Sequence, residues 1–369
     1  MKKILITGGA GFIGSHLCDE LIQNGYEPIV YDNLDLQVHG CREAAPEYLP
    51  REATFIHGDV RDEYSLARAV AMADAVVHFA AKVGVGQSMY QIEHYTDVNN
   101  RGTALLLDIL SKTSPKKLLV ASSMSIYGEG YYELSGRKIE VPLRPHDQLQ
   151  EGRWNIRREG TTLYPVPTDE EKTPMLASVY ALSKYDQERI CLMVGDAYNF
   201  PVVALRFFNV YGERQSLSNP YTGVLAIFAA RLLSGKAPVV FEDGLQKRDF
   251  VNVRDVAVAC RLALESDDAN GQAINIGSGK SYSILEVARH LSRVLGKEDI
   301  APLVTGKYRT GDIRNCFADI SKARALLGYE PAVGFEEGLT VLAAWLATQQ
   351  VSDQGEKATL ELLERGLTV

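Results

Sequence analysis

Short apolar runs rich in β-branched residues alternate, in the first part of the chain, with segments of amphipathic pattern. The runs predict buried strands over residues 3–7, 27–32, 54–60, 75–82 and 117–122. The clearest helical patterns cover 15–24 and 97–111. This alternation predicts an α/β fold with a doubly wound parallel sheet, which binds ligands at the carboxyl ends of its strands.

The chain divides, in this interpretation, near residue 200. Residues 1–200 are predicted to form the sheet domain, and residues 201–369 mainly a smaller α/β substrate-binding domain with some segments returning to the sheet. Helical patterns in the second part cover 278–295, 320–327, 335–348 and 360–367.

One connection is unusually long. Residues 128–176 join the fifth strand to the next helix, and they are rich in charge and proline without clear periodicity. Connections of this kind are usually lids, binding loops or mobile segments. We expect a lid or an interface flap, and a plain surface excursion is the alternative.

Three glycines follow the first strand directly. Gly8, Gly11 and Gly14 allow a sharp turn, the approach of a pyrophosphate to a helix N-terminus, and close packing of helix on strand. The second strand ends at Asp32, where a carboxylate would accept the ribose hydroxyls of NAD and repel the extra phosphate of NADP. The sequence therefore predicts a Rossmann-type NAD site.

Tyr180 and Lys184 lie four residues apart, so on a helix they share one face. A cation there favours phenolate and is expected to lower the tyrosine pKa towards the working pH, which would make the phenol a base. Such a pair alone is weak evidence, since a solvated helix face gives the same pattern. The preceding glycine turn and a third hydroxyl strengthen the interpretation.

Composition narrows the function further. The 369 residues carry a net charge of −8, which gives no basic surface for nucleic acid. The amino-terminal apolar run is interrupted by glycines, and no stretch approaches a membrane span. The five cysteines are widely spaced, without a Cys-x-x-Cys pair. We expect a cytoplasmic protein with neither a disulfide framework nor a metal site.

Several motifs in order then resemble one family. They are Thr-Gly-Gly-Ala-Gly-Phe-Ile-Gly, His-Phe-Ala-Ala, Asn-x-x-Gly-Thr, Ser-Ser-x-x-x-Tyr-Gly, Tyr-x-x-x-Lys and Arg-Phe-Phe-Asn-Val-Tyr-Gly. The chain resembles, over nearly its whole length, an extended short-chain dehydrogenase/reductase of the nucleotide-sugar epimerase/dehydratase group. The resemblance implies Ser123 as the catalytic hydroxyl, Tyr180 as the base and Lys184 as its ribose-binding partner.

Motif and position together give the expected ligand contacts. The cofactor-side residues are Gly8, Gly11, Phe12, Ile13, Gly14, Asp32, Asn33, Asp59, Val60, Ala80, Ala81, Lys82, Asn99, Ser122, Tyr180 and Lys184. The substrate-side residues are Val85, Ser123, Ser125, Asn209, Tyr221, Val224, Phe241, Arg248 and Arg309. The resemblance assigns Arg248 and Arg309 to the substrate diphosphate, and the arginine fork suits such a group because it binds two oxygens at once.

The residues after Ser123 argue against one reaction of this group. The 4,6-dehydratases resemble one another in carrying Thr-Asp-Glu at this point, whereas this chain has Ser123, Met124 and Ser125. A thioether transfers no proton, and a serine hydroxyl is a poor acid near neutral pH. Redox chemistry at one carbinol remains, namely a 4-epimerase, a decarboxylating dehydrogenase or a 4-keto reductase.

The segments 32–40, 83–90 and 122–130 are most similar to those of dTDP-L-rhamnose 4-epimerases. This implies inversion at C4 of a dTDP-6-deoxy-L-hexose through a transient 4-keto sugar, with NAD regenerated. A UDP-hexose 4-epimerase, a 4-keto-sugar reductase and a non-catalytic NAD-binding scaffold are the alternatives. The resemblance also implies a homodimer, in which helices near 103–111 and 180–196 pair. Their apolar residues are compatible with this pairing and equally with ordinary core packing, namely Leu105, Leu106, Ile109, Ile190 and Met193.

Overall fold

The computed structural model describes residues 1–40, 44–158, 160–216, 223–308, 312–349 and 365. The seven strands of its central sheet are β1 (Lys3–Thr7), β2 (Glu27–Asp32), β3 (Thr54–His57), β4 (Ala75–His78), β5 (Leu118–Ser123), β11 (Val202–Phe207) and β16 (Ala273–Ile276). The shorter strands are β6 (Tyr132–Leu134), β7 (Arg137–Ile139), β8 (Arg157–Arg158), β9 (Thr161–Thr162), β10 (Tyr164–Pro165), β12 (Asn209–Tyr211), β13 (Val239–Val240), β14 (Lys247–Arg248), β15 (Phe250–Asn252), β17 (Tyr282–Ser283), β18 (Leu303–Val304) and β19 (Asn315–Cys316).

The helices lie between and beyond these strands. They are α1 (Phe12–Gln23), α2 (Leu36–His39), α3 (Glu63–Val70), α4 (Val85–Ser88), α5 (Ile92–Tyr95), α6 (Gly102–Thr113), α7 (His146–Gln150), α8 (Val179–Tyr198), α9 (Val224–Leu233), α10 (Val253–Glu265), α11 (Ile284–Val294), α12 (Ser321–Leu327) and α13 (Phe335–Leu346). A π-helical turn, Thr96–Arg101, precedes α6, and a 3₁₀ turn, Met124–Tyr127, follows β5. No helix in the part of the chain that the structure describes is long and apolar enough to span a membrane.

The central sheet confirms the predicted doubly wound architecture. Its strand order is β16-β11-β5-β4-β1-β2-β3, and every neighbouring pair is parallel. Side chains of β1 alternate between two cores, with Ile4 and Ile6 in one cluster and Leu5 in the other. Burial on both faces explains why these strands appear in the sequence as continuous apolar runs.

Several predicted boundaries differ from the observed ones. Strands β3 and β4 end at His57 and His78, because the residues after them turn into loops at the carboxyl edge of the sheet. Helix α1 begins at Phe12, directly after the glycine turn. The pattern over 278–295 becomes a helix only at α11, whose N-cap Ser283 forms a capping box with Glu286. The helix predicted over 360–367 lies almost entirely outside the described residues.

The second part of the chain has its own core. Helices α9, α11 and α13 pack around Phe228, Leu291 and Leu339, while β11 and β16 belong to the central sheet. Segments of the second part therefore do return to the sheet. The domain boundary near residue 200 stays a prediction.

The long connection folds into a small unit. Strands β10, β6 and β7 form an antiparallel sheet, β8 and β9 pair as a separate two-stranded sheet, and Tyr132, Val141, Ile156 and Leu163 form a small core. The unit is joined to the second part of the chain by buried ion pairs. Its expected role as a lid or flap stays a prediction.

These ion pairs form the bracing network, which we define as Glu129, Arg144, Glu242, Asp243 and Arg314. Arg144 donates to both Glu242 carboxylate oxygens, at 2.9 and 2.8 Å. Arg314 donates to Glu242 at 2.8 Å and to Asp243 at 2.6 and 2.8 Å. Glu129 accepts from the backbone N–H of Arg314. Both guanidinium groups are almost fully buried.

Candidate active site

A cleft of about 490 Å³ follows the carboxyl ends of the central strands. Its walls contain most of the residues predicted from the sequence. These are Gly8, Gly11, Phe12, Ile13, Gly14, Asp32, Asn33, Asp59, Val60, Ala80, Ala81, Lys82, Val85, Ser122, Ser123, Ser125, Tyr180, Lys184, Asn209 and Val224. The position of the cleft is the one expected for an open parallel sheet.

Three described candidates do not line this cleft. The Asn99 amide is fully buried, accepts from Lys82 N at 2.7 Å and donates to Ser183 Oγ at 2.9 Å. It therefore links the segment after β4 to helix α8. The Arg248 guanidinium donates to the carbonyl of Arg314 at 3.1 Å. Phe241 follows β13, away from the cleft walls. Their ligand roles stay predictions, and Tyr221 and Arg309 lie outside the described residues.

The glycine turn leaves no room for side chains. Gly8 has a φ of +69°, and a Cβ there would lie 2.8 Å from the backbone N of Ala80. A Cβ on Gly14 would lie 2.6 Å from the carbonyl oxygen of Gly8. The first N–H groups of α1 have no partner within the helix and face this turn. The turn therefore fits a pyrophosphate group.

Asp32 lies beside the glycine turn, as predicted. Its two carboxylate oxygens accept from the backbone N–H groups of Ala10 at 3.0 Å and Leu34 at 2.9 Å. Each oxygen keeps a further lone pair for a ribose hydroxyl. Burial raises the pKa of Asp32, and His39, 3.7 Å away, opposes the shift. His39 lines the cleft too, and nothing in its sequence context pointed to it.

The serine, tyrosine and lysine predicted to be catalytic lie in the same cleft. Ser123 ends β5, and Tyr180 lies in the first turn of α8, directly after the N-cap Ser178. Tyr180 and Ser123 both line the cleft and are close enough to affect each other's proton affinity, and Ser125 Oγ donates to Ser123 Oγ at 3.0 Å. Lys184 follows one turn later and is buried. The structure brings together the three residues that the motifs predict.

Burial dominates the proton affinity of the tyrosine. Loss of water raises the pKa of Tyr180, and the neighbouring Ser123 hydroxyl opposes this rise only in part. Burial lowers the pKa of Lys184 to about 8. The Lys184 ammonium donates to Gln187 Oε1 at 2.8 Å. The predicted lowering of the Tyr180 pKa by Lys184 is therefore wrong, because desolvation outweighs a cation that is directed elsewhere.

A buried ion pair behind the catalytic residues was missed by the sequence reasoning. Arg206 of β11 donates to both Glu188 carboxylate oxygens, at 2.9 and 2.7 Å. Ser122 Oγ donates to Glu188 at 2.6 Å, and Arg206 donates to the Tyr127 hydroxyl at 2.8 Å. The pair ties α8 to β5 and β11 beneath Ser123. Glu188 follows Lys184 by four residues, which was the available sequence signal.

Two side-chain amides in the cleft have free acceptors. Asn209 Oδ1 and Gln215 Oε1 are buried and have no hydrogen-bond partner among the residues that the structure describes. A buried polar atom without a partner costs roughly 1–3 kcal/mol. Both atoms therefore indicate that a polar ligand completes the cleft, and the resemblance had predicted this only for Asn209.

The chain matches a known family model. The model of the NAD dependent epimerase/dehydratase family covers residues 4–148 and 159–277. Among characterised relatives, the chain is 34% identical over 353 residues to the dTDP-L-rhamnose 4-epimerase of Burkholderia thailandensis, with 94% of this chain and 96% of that protein aligned.

Solved structures of similar proteins share the fold. UDP-glucose 4-epimerase of Thermotoga maritima with UDP-glucose is 32% identical, with a TM-score of 0.77 over 94% of this chain and 98% of that one. UDP-glucose 4-epimerase of Thermus thermophilus in complex with NAD is 31% identical, with a TM-score of 0.75 over 94% of this chain and 100% of that one.

Proposed function

Because the chain belongs to the NAD-dependent epimerase/dehydratase family, we propose that it inverts C4 of a dTDP-6-deoxy-L-hexose, dTDP-L-rhamnose. The broader activity is that of an isomerase, an NAD-dependent nucleotide-sugar 4-epimerase. The single observation that carries the proposal is that Ser123, Tyr180 and Lys184 line the same cleft as the glycine turn.

The catalytic residues have separate tasks. The glycine turn and Asp32 would hold NAD, which when bound would supply the hydride acceptor and donor for C4 of the sugar. Tyr180 Oη takes the proton of the C4 hydroxyl and later gives it back, and Ser123 Oγ donates to the C4 oxygen as it becomes a carbonyl. The resemblance assigns Lys184 to the cofactor ribose, and its position in the cleft one turn after Tyr180 supports that role. Met124 contributes no proton donor, so elimination of water is not supported.

The nucleotide identity depends on fewer observations. The similarity to the Burkholderia thailandensis enzyme and the three segments noted in the sequence support a dTDP-6-deoxy-L-hexose. The similarity to the Thermotoga maritima enzyme with UDP-glucose supports UDP-hexoses as the second candidate. The free acceptors of Asn209 and Gln215 suit hydroxyl or N–H donors of either substrate.

The proposed substrate can be tested by proton NMR. Purified protein with dTDP-L-rhamnose and no added NAD is expected to give a second sugar with inverted H4 couplings, settling to an equilibrium mixture. UDP-glucose under the same conditions is the matched control and is expected to react much more slowly. Inversion of UDP-glucose alone would contradict the dTDP assignment, and no turnover of either sugar would contradict both.

The same preparation distinguishes an epimerase from a reductase. Denatured protein is expected to release NAD, because an epimerase regenerates its cofactor and has no need to exchange it. A protein that held no nucleotide and bound only exchangeable NADPH would be a reductase. Asp32 argues against NADPH, because a buried carboxylate at this position repels the extra phosphate.

We further propose a homodimer and a cytoplasmic location. Leu182 and Met193 of α8 are each 54% exposed and eleven residues apart, which places both on one face of the helix. Leu106 and Ile109, which fitted either an interface or core packing in the sequence, lie in the core of this chain. The four described cysteines are free, which supports a reducing compartment.

The proposed interface predicts a change in molecular mass. Leu182→Glu is expected to convert the dimer into a monomer, because a charge would be buried against the partner. Light scattering after size exclusion measures the mass. Leu245→Glu is the matched control, since Leu245 is 52% exposed and lies outside α8. A dimer that survives Leu182→Glu, or wild-type protein that is monomeric, would exclude this interface.

A further inference from the structure

We propose that Gln187 is a positioning residue for Lys184, which holds the ammonium with a neutral acceptor so that its positive charge stays available to the cofactor. The inference rests on the proposed function, because it concerns the same catalytic lysine. Neither the motifs nor the comparisons assign a role to Gln187.

The contact is short and fully enclosed. Lys184 Nζ donates to Gln187 Oε1 at 2.8 Å, and the two residues are 3% and 1% exposed. They lie three residues apart on α8, where side chains on one face meet. A buried ammonium without an acceptor would be costly, so this amide contributes directly to keeping the charge in place.

The orientation of the amide is fixed from behind by a chain of hydrogen bonds. Gln187 Nε2 donates to Thr103 Oγ1 at 2.7 Å. The single hydroxyl proton of Thr103 is used on the carbonyl of Asn99, so Thr103 can only accept from Gln187 and from His78 Nε2 at 2.9 Å. His78 Nδ1 then accepts from Thr7 Oγ1 at 2.7 Å.

Donor counting excludes the flipped amide. Rotated by half a turn, Gln187 would direct its NH₂ group at the Lys184 ammonium, so that two donors would face each other without an acceptor. The same counting makes His78 a neutral imidazole with its proton on Nε2. Burial supports this assignment, since it lowers the pKa of His78 to about 3. His78, the neighbour of Lys184 on β4, therefore adds no positive charge beside the ammonium.

The other groups that face Lys184 leave its charge uncompensated. Tyr180, Glu188 and Cys191 lie on its own helix, and His78 lies on β4. The Glu188 carboxylate is engaged by Arg206 and Ser122. Burial raises the pKa of the Cys191 thiol to about 12, so it stays neutral. Gln187 is thus the hydrogen-bond acceptor of a cation that has no dedicated counter-ion among the described residues.

Two nearly isosteric variants test the inference directly. Gln187→Glu places a carboxylate beside the ammonium and is expected to raise the Lys184 pKa by about 1–3 units, whereas Gln187→Met removes the acceptor and is expected to lower it. The readout is the pH titration of the Cε resonance of Lys184 in lysine-labelled protein, assigned with Lys184→Met. Gln23→Glu, on the exposed part of α1, is the control for net charge and should leave the titration unchanged.

Activity provides the second readout. If the ammonium is the active form, turnover falls as the pH rises through the pKa of Lys184. The pH of this fall should be higher in Gln187→Glu and lower in Gln187→Met. Titrations of Lys184 that coincide in all three proteins would overturn the positioning role. Shifted titrations in a protein that turns over neither nucleotide sugar would leave the positioning role standing and contradict the proposed function. If Gln187→Met does not fold, the Lys184 titration in Gln187→Glu alone tests the positioning role.

Discussion

Tyr180→Phe is expected to lower kcat by about 10²- to 10⁴-fold, the range typical of a lost general acid–base group. The phenol is the hydroxyl that contacts Ser123 inside the cleft. The ring fills the same space in both residues, so the fold and the bound NAD should be retained. The NMR assay measures turnover, and nucleotide released from denatured protein measures cofactor occupancy.

The matched control is Tyr185→Phe, on the same helix. Tyr185 packs against an apolar cluster and is not part of the cleft wall. The control variant should keep nearly full activity. Wild-type turnover in Tyr180→Phe would remove the tyrosine from the proton transfer, and equal losses in both variants would indicate damage to α8 instead.

The second large effect concerns stability and the bracing network. Glu242→Gln keeps the shape of the side chain but removes the charge between Arg144 and Arg314. Breaking a buried ion pair by removing one partner typically costs about 3–5 kcal/mol, because the remaining charge is left uncompensated. The free energy of unfolding should fall by about this amount in urea denaturation, with a lower Tm.

A surface ion pair provides the control for this variant. Glu151 pairs with Arg153 at 2.5 Å, and the two side chains are 60% and 54% exposed. Glu151→Gln should change the free energy of unfolding by less than about 1 kcal/mol, since solvent screens the pair. Glu151 and Arg153 belong to the long connection, which the network joins to Glu242. Equal effects of Glu242→Gln and Glu151→Gln on the free energy of unfolding would show that burial of the network contributes nothing.

The sequence predicts much of the fold because buried parallel strands leave a direct pattern. The runs at 3–7 and 117–122 differ from the observed strands by one residue at most. The glycine turn and the catalytic residues are equally visible, since Gly8, Gly14 and Tyr180 need their particular residue types at fixed spacing.

What the sequence hides is the pairing of buried charges and the extent of desolvation. Arg144 appears in the sequence as one charge in a polar loop, and its partner Glu242 lies far along the chain. The Tyr180 pKa was predicted in the wrong direction for a related reason. Spacing shows that Lys184 is near, but it shows neither how completely water is excluded nor that Gln187 takes the ammonium.

The order of strands in the central sheet also sets a sequence of events during synthesis. Strand β5, which carries Ser123, pairs with β4 on one side and with β11 on the other. Until Val202–Phe207 has left the ribosome, β5 presents an open edge, and such edges recruit foreign strands. A nascent or truncated chain that ends near residue 200 would hold the glycine turn and Tyr180 on an unfinished sheet. Strand β11 then forms the open edge until β16 pairs with it, so chaperone demand should fall only after β16 has docked.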